Sequence, residues 1–169
     1  LAAMVRLVVP PPPRGGDDEA PVMASALAGA VDPALLTHAL ARLKDEDWGV
    51  QRVALGAVGE LASTGDERAL AALLPHLGNE DDDVRAAAAA AVGRIAGEGN
   101  EEALVAIAPL LDDDDEGVRQ AAINAFARTS RTGDAVAISR LKSIYRKDED
   151  DDVRRAAASA LAKLSRSAE

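Results

Sequence analysis

The 169-residue sequence contains no cysteine, which excludes disulfides, thiolate metal sites and cysteine nucleophiles. Aromatic residues make up 2%, one each of Trp, Tyr and Phe, so a core must come from Ala, Leu, Val and Ile. Histidine occurs twice, as His38 and His76, and neither has a partner four residues away to form a helical metal pair. No run of about 18 apolar residues appears, so no membrane-spanning helix is expected. The compartment stays open.

Hydrophobic residues make up 48% of the chain, enough for one sizeable domain, and their small size suits closely packed helices. The formal charge is -10, against the clustered basic surface of a general phosphate-backbone binder, so no nucleic-acid partner is expected. Charge is also uneven. Residues 1–117 hold 8 basic and 22 acidic side chains, and residues 118–169 hold 11 and 7. The two ends should therefore prefer different partners.

The segment LAAMVRLVVPPPPRGGDDEAP starts apolar, stiffens through a proline run and ends polar, so residues 1–20 read as an extended arm or linker, either in contact with other subunits or a disordered tail. A start at Leu1 rather than Met is what processing, or excision from a longer chain, would leave.

The rest of the sequence repeats itself. Val50, Val84, Val118 and Val153 lie 34, 34 and 35 residues apart, each preceded by an acidic cluster and followed by an alanine-rich amphipathic stripe. A second series, Asp32, Asp66, Asn100 and Asp134, also spaced by 34, marks helix N-caps followed by Leu-rich stripes such as Leu70, Leu73, Leu77 and Ile138, Leu141, Tyr145. Gly65, Gly99 and Gly133 stand just before these caps, where the chain must turn. Asp47, Asp81, Asp115 and Asp150 take the cap of the alanine-rich helices, so much of the acidity is structural. Pro75 and Pro109, at matching positions, should bend the Leu-rich helices. The expected architecture is an all-α solenoid of antiparallel helix pairs over residues 21–169. It comprises a partial repeat 21–46, repeats 47–80, 81–114 and 115–149, and a half-repeat 150–169 that leaves Leu161 and Leu164 unpaired.

An acidic cap, Val-Arg, an alanine-rich helix, a Gly-Asp turn and a Leu-rich second helix together resemble HEAT repeats, most of all the short subclass typified by phycobilisome-lyase proteins. The resemblance implies right-handed stacking with first helices on the convex side and second helices on the concave side. It also implies a ladder in which cap acids Asp81, Asp115 and Asp150 meet Arg85, Arg119 and Arg154 of neighbouring units. Gln51 departs from that pattern, and Arg52 would have to stand in.

Several positions are candidates for partner binding. Trp48, where other copies carry an acid, is either a binding hot spot or a cover for the preceding helix near Leu43. Arg140, Ser143, Tyr145, Arg146 and Lys147 form a basic cluster on the last Leu-rich helix, with Arg140 and Ser143 expected on the concave side. Lys142 takes a position that is apolar elsewhere. Asp82, Asp83, Asp113, Asp114, Asp151 and Asp152 lie in equivalent turns that stacking would align into an acidic edge for a basic partner. Asp112, Asp114, Glu116 and Gly117 imitate the start of a calcium loop, but Ile123 stands where the twelfth-position Glu is required.

No catalytic constellation, cofactor site or metal site emerges, and homo-oligomerisation is not indicated. The expected function is a noncatalytic interaction scaffold or adaptor within a larger complex. The resemblance suggests a bilin-lyase-like or chaperone-like factor in pigment-protein assembly as the alternative. A di-iron hydroxylase of the same repeat type is not expected, since neither His38 nor His76 is followed by Glu.

Overall fold

Alanine and leucine periodicity, interrupted every 34 or 35 residues by acidic or glycine turns, folds into helices throughout the computed structural model, which describes residues 33–165. These are α1 (Pro33–Arg42), α2 (Trp48–Leu61), α3 (Glu67–Leu73), α4 (Asp82–Ile95), α5 (Glu101–Ile107), α6 (Glu116–Thr129), α7 (Ala135–Lys147) and α8 (Asp151–Leu164). No strand occurs among the described residues, and the fold is an all-α solenoid. The cap at Asp32, the helix remnant at Ser25 to Ala30, the amino-terminal arm and the last four residues lie outside the described range.

Local chemistry starts each helix. Asp47, Asp81, Asp115 and Asp150 accept hydrogen bonds from backbone N–H groups of the first turn, as at Val84 (3.0 Å) and Val118 (2.9 Å). Asp66, Asn100 and Asp134 do the same for α3, α5 and α7. Each cap satisfies donors that an α-helix leaves unpaired at its start.

The alanine-rich helices α2, α4, α6 and α8 stack on one another as a continuous layer. In α4, Ala88, Ala89 and Ala91 are buried, Ala86 and Ala87 half-buried and Ala90 exposed, so the six alanines are mostly packing surface. The helices approach closely at Gly93, where a Cβ would lie 2.5 Å from the Cα of Ala125, and at Gly59, where it would lie 3.1 Å from the Cα of Ala91. Only minimal side chains permit that approach.

Packing groups the helices half a period away from the sequence units. The Leu-rich helices pack mainly on the alanine-rich helix that follows across the acidic turn, and much less on the one that precedes across the glycine turn. The natural hairpins are therefore α1/α2, α3/α4, α5/α6 and α7/α8. The expected unpaired end at Leu161 and Leu164 is corrected accordingly, because α8 is already covered by α7 and Leu164 is buried.

The prolines act by changing helix type. After α3 and α5 the chain continues as 3₁₀ turns, Leu74–Gly78 and Ala108–Asp112, with Pro75 and Pro109 near their starts. Ser143 occupies the matching place in the next copy, and α7 runs unbroken to Lys147. On α7 the buried stripe is Ala137, Leu141 and Ile144, which leaves Tyr145, assigned to the stripe from sequence, 48% exposed.

A ladder of backbone hydrogen bonds ties the glycine turns to the next layer. The N–H groups of Gly65, Gly99 and Gly133 donate to the carbonyls of Ile95, Thr129 and Leu164, the last residues of α4, α6 and α8. These glycines have φ of 84°, 77° and 82°, which side-chain-bearing residues rarely adopt.

Candidate functional site

At the opposite end of the alanine-rich helices, the acidic turns stack into an edge held by a second ladder. Arg85 forks onto Asp113 of the next repeat, Nε to Oδ2 and Nη2 to Oδ1, both at 2.9 Å. Its Nη1 donates to the carbonyls of Asn79 (2.9 Å) and Glu80 (3.0 Å) in the turn before its own helix. Arg119 repeats the arrangement with Asp148 (3.0 and 3.1 Å) and with the carbonyls of Asp113 and Asp114. Arg154, in the last repeat, holds the carbonyls of Asp148 (2.7 Å) and Glu149 (2.9 Å) and pairs with Asp151 at the surface. Each arginine thus fixes its own turn, and Arg85 and Arg119 also grip the next.

The acid partners differ from those expected. Cap residues Asp81, Asp115 and Asp150 are engaged by their own helix N-termini, whose N–H groups point at them. The rung acids are Asp113 and Asp148, two residues before the caps, and each also accepts the N–H of its cap residue at 3.0 Å. The first rung is neutral. Gln51 donates to the carbonyl of Asp45 (2.6 Å) and accepts from Asn79 (3.3 Å), so it takes the arginine's place, while Arg52 is exposed. The sequence signal for this ladder is the recurrent Asx at Asp45, Asn79, Asp113 and Asp148.

Charge in the ladder is matched and half hidden. The Arg85 and Asp113 side chains are 18% and 13% exposed, and those of Arg119 and Asp148 are 10% each. The hydrogen bonds from Arg85 hold the Asp113 carboxyl below the usual carboxylate range, and the guanidinium groups of Arg85 and Arg119 are correspondingly raised.

The remaining acids point outward. Asp82, Asp83 and Asp114 are exposed and form no ion pair among the described residues, whereas Asp151 and Asp152 are drawn to Arg154 and Arg155. Asp113 is withdrawn from the set of partner-facing residues, because its carboxylate is spent in the ladder. Between the third and fourth turns lies a cleft of about 480 Å³ where Arg140, Ser143 and Lys147 face Asp114 and Glu149. Arg140 bridges it by pairing with Asp112. Tyr145 and Arg146 are exposed on α7 but do not line this cleft, and Lys142 is exposed.

Trp48 is 57% exposed and stands beside Gln51, Pro75 and Gly78 in a second shallow cleft across the first and second turns. His38 is exposed, and burial lowers the pKa of His76. No group of three or more metal-ligating side chains occurs among the described residues, nor any helix long and apolar enough to cross a membrane.

Comparison with known proteins agrees with this geometry. No curated protein matches the sequence significantly. Among solved structures, the designed armadillo repeat protein YIII(Dq)4CqI superposes with a TM-score of 0.59 at 27% identity. That alignment covers 76% of this chain and 63% of the designed protein, so the chain spans less than two thirds of that molecule. The family model for HEAT repeats matches residues 20–93 and again 80–162, nearly the whole described range. With four stacked hairpins and two hydrogen-bond ladders in register, the chain belongs to the HEAT-repeat family.

Proposed function

We propose that this chain is a noncatalytic protein-interaction scaffold, a subunit or assembly factor of a larger complex. Its working surface is the acidic edge, and its partner there carries a basic surface. The observation that carries this reading is the division of labour along that edge. Asp113 and Asp148 are consumed by the ladder, whereas Asp82, Asp83 and Asp114 stay exposed, unpaired and held at fixed spacing by it. A rigid row of carboxylates steers a cationic partner and fixes its register. The cleft holding Arg140, Ser143 and Lys147 provides polar contacts of the opposite sign at one end of the row. Amine-reactive crosslinking in cells, read by mass spectrometry, tests this. Reproducible crosslinks from Lys142 or Lys147 to one protein assembly are expected, and recovery of the chain without crosslinked protein counts against it.

A second reading, pigment handling, has one observation in its favour. A mainly apolar groove of about 530 Å³ between α1 and α2 is lined by Val50, Val53, Ala54 and Ala57, with His38 and Arg42 at its margin. Long-wavelength absorbance retained by the purified chain would move the assignment toward this reading.

A further inference from the structure

The exposed face of the alanine-rich layer carries a feature that the acidic edge does not explain. A groove of about 700 Å³ crosses α4, α6 and α8, and no acidic residue lines it. That is unexpected in a chain of net charge -10. Its floor is alanine, including Ala90 and Ala121, so the backbone-level surface is open to an incoming chain.

Two kinds of group rise from that floor. Gln120, Asn124 and Arg128 are four residues apart on α6 and share one helical face. Their side chains have no hydrogen-bond or ion-pair partner among the described residues. Arg94 and Lys163 occupy the positions equivalent to Arg128 on the neighbouring helices, so three cations line up across the layer. Lys163 donates to the carbonyl of Ala127 at 2.9 Å, and Arg94 pairs with Glu60, which is exposed on α2. Arg128, between them, is uncommitted.

We infer that this groove binds an extended acidic peptide segment of a partner protein. A carboxamide offers both a donor and an acceptor, the complement of an extended peptide's N–H and C=O, so Gln120 and Asn124 are suited to hold backbone. The cations then receive carboxylate side chains, with Arg128 able to engage one through two parallel hydrogen bonds. A nucleic acid is disfavoured by the same surface, because three cations beside rows of exposed acids cannot neutralise a continuous phosphate backbone. The proposal deepens the scaffold reading by adding a second surface of opposite charge preference, and it rests on that reading.

Fluorescence anisotropy on the full chain tests it, with a fluorescein-labelled peptide of alternating aspartate and alanine and a lysine-alanine counterpart as probes. The acidic probe should bind at low salt, weaken as salt rises, and lose about tenfold in affinity with Arg128→Glu. Gln120→Ala combined with Asn124→Ala should weaken it severalfold, while Val105→Ala, at an exposed position on α5 outside the groove, leaves it unchanged. Arg128 and Asn124 are exposed, and unchanged thermal melting of their variants establishes that the fold is retained. Absence of acidic-probe binding, or binding indifferent to Arg128→Glu, overturns the proposal. So does a concentration-dependent dimer abolished by Arg128→Glu in sedimentation velocity, which would assign the groove to a second copy. None of these results bears on the crosslinks from Lys142 and Lys147, so the groove and the general scaffold function fail separately.

Discussion

At the residue scale, the fold hides one group at a cost. The Thr129 hydroxyl is fully buried without a hydrogen-bond partner, at a position where Leu61, Ile95 and Leu164 stand in the other copies. A buried hydroxyl without a partner costs roughly 1–3 kcal/mol, so Thr129→Val should stabilise the chain by about 1 kcal/mol. A rise of a few degrees in the thermal midpoint would register this. Asp113 gives the opposite case. Its folded-state pKa is depressed by Arg85, so its stabilising contribution is complete above the ordinary carboxylate value, about 3.9, and disappears as pH falls through the folded value. Denaturant titrations should show stability declining below about pH 4, and Asp113→Asn should be less stable at neutral pH with a shallower acid decline. Arg119→Ala removes four hydrogen bonds at once and strands the Asp148 carboxylate, for an expected loss of about 3 kcal/mol.

At the element scale, close approach between alanine-rich helices is the controlling dimension. Gly93→Ala places a methyl group 2.5 Å from the Ala125 backbone, so α4 and α6 must separate, at a cost of about 1–3 kcal/mol. Gly56, on the exposed side of α2, has nothing within 4 Å of an added Cβ, so Gly56→Ala should stabilise by about 1 kcal/mol through helix propensity alone. Equal shifts of the two unfolding midpoints in the same direction would contradict this account of packing. Much at this scale was legible beforehand. The period of Val50, Val84, Val118 and Val153 and the caps beside them are local properties, so the sequence displays them directly. Three features depend on distance in space instead. Which Asp each arginine grips is set by a neighbour 28 or 29 residues away, and the cap acids look equally suitable in sequence. Hairpin grouping depends on which turn folds its helices together, and two turns per period offer two answers. Tyr145 falls one residue off the buried stripe because α7 lacks the proline that reshapes α3 and α5 near their ends.

At the scale of the whole molecule, the two ladders fasten successive repeats at both ends of each alanine-rich helix. The ion-pair ladder organises the acidic edge, and the glycine backbone ladder secures the far side. Between them the helix faces are free to vary, which is where the recurrent cations Arg94, Arg128 and Lys163 and the carboxamides of Gln120 and Asn124 stand. The molecule therefore carries an acidic edge and a cation-lined groove on the same stack of helices, a combination in keeping with the proposed scaffold role. Candidate binding residues were only partly legible, because exposed and ladder acids share one composition. Asp113 and Asp114 are adjacent, yet one is half-buried in a rung and the other faces outward.

The central claim is that the outward acids, and not the ladder acids, recruit a partner. Its most direct test compares in-cell crosslinking yield from Lys147 for the wild-type chain and for a variant combining Asp82→Asn, Asp83→Asn and Asp114→Asn, with thermal melting measured on both. The account predicts that yield to the captured assembly falls about tenfold while the melting midpoint is nearly unchanged. Undiminished yield from a folded triple variant would contradict it.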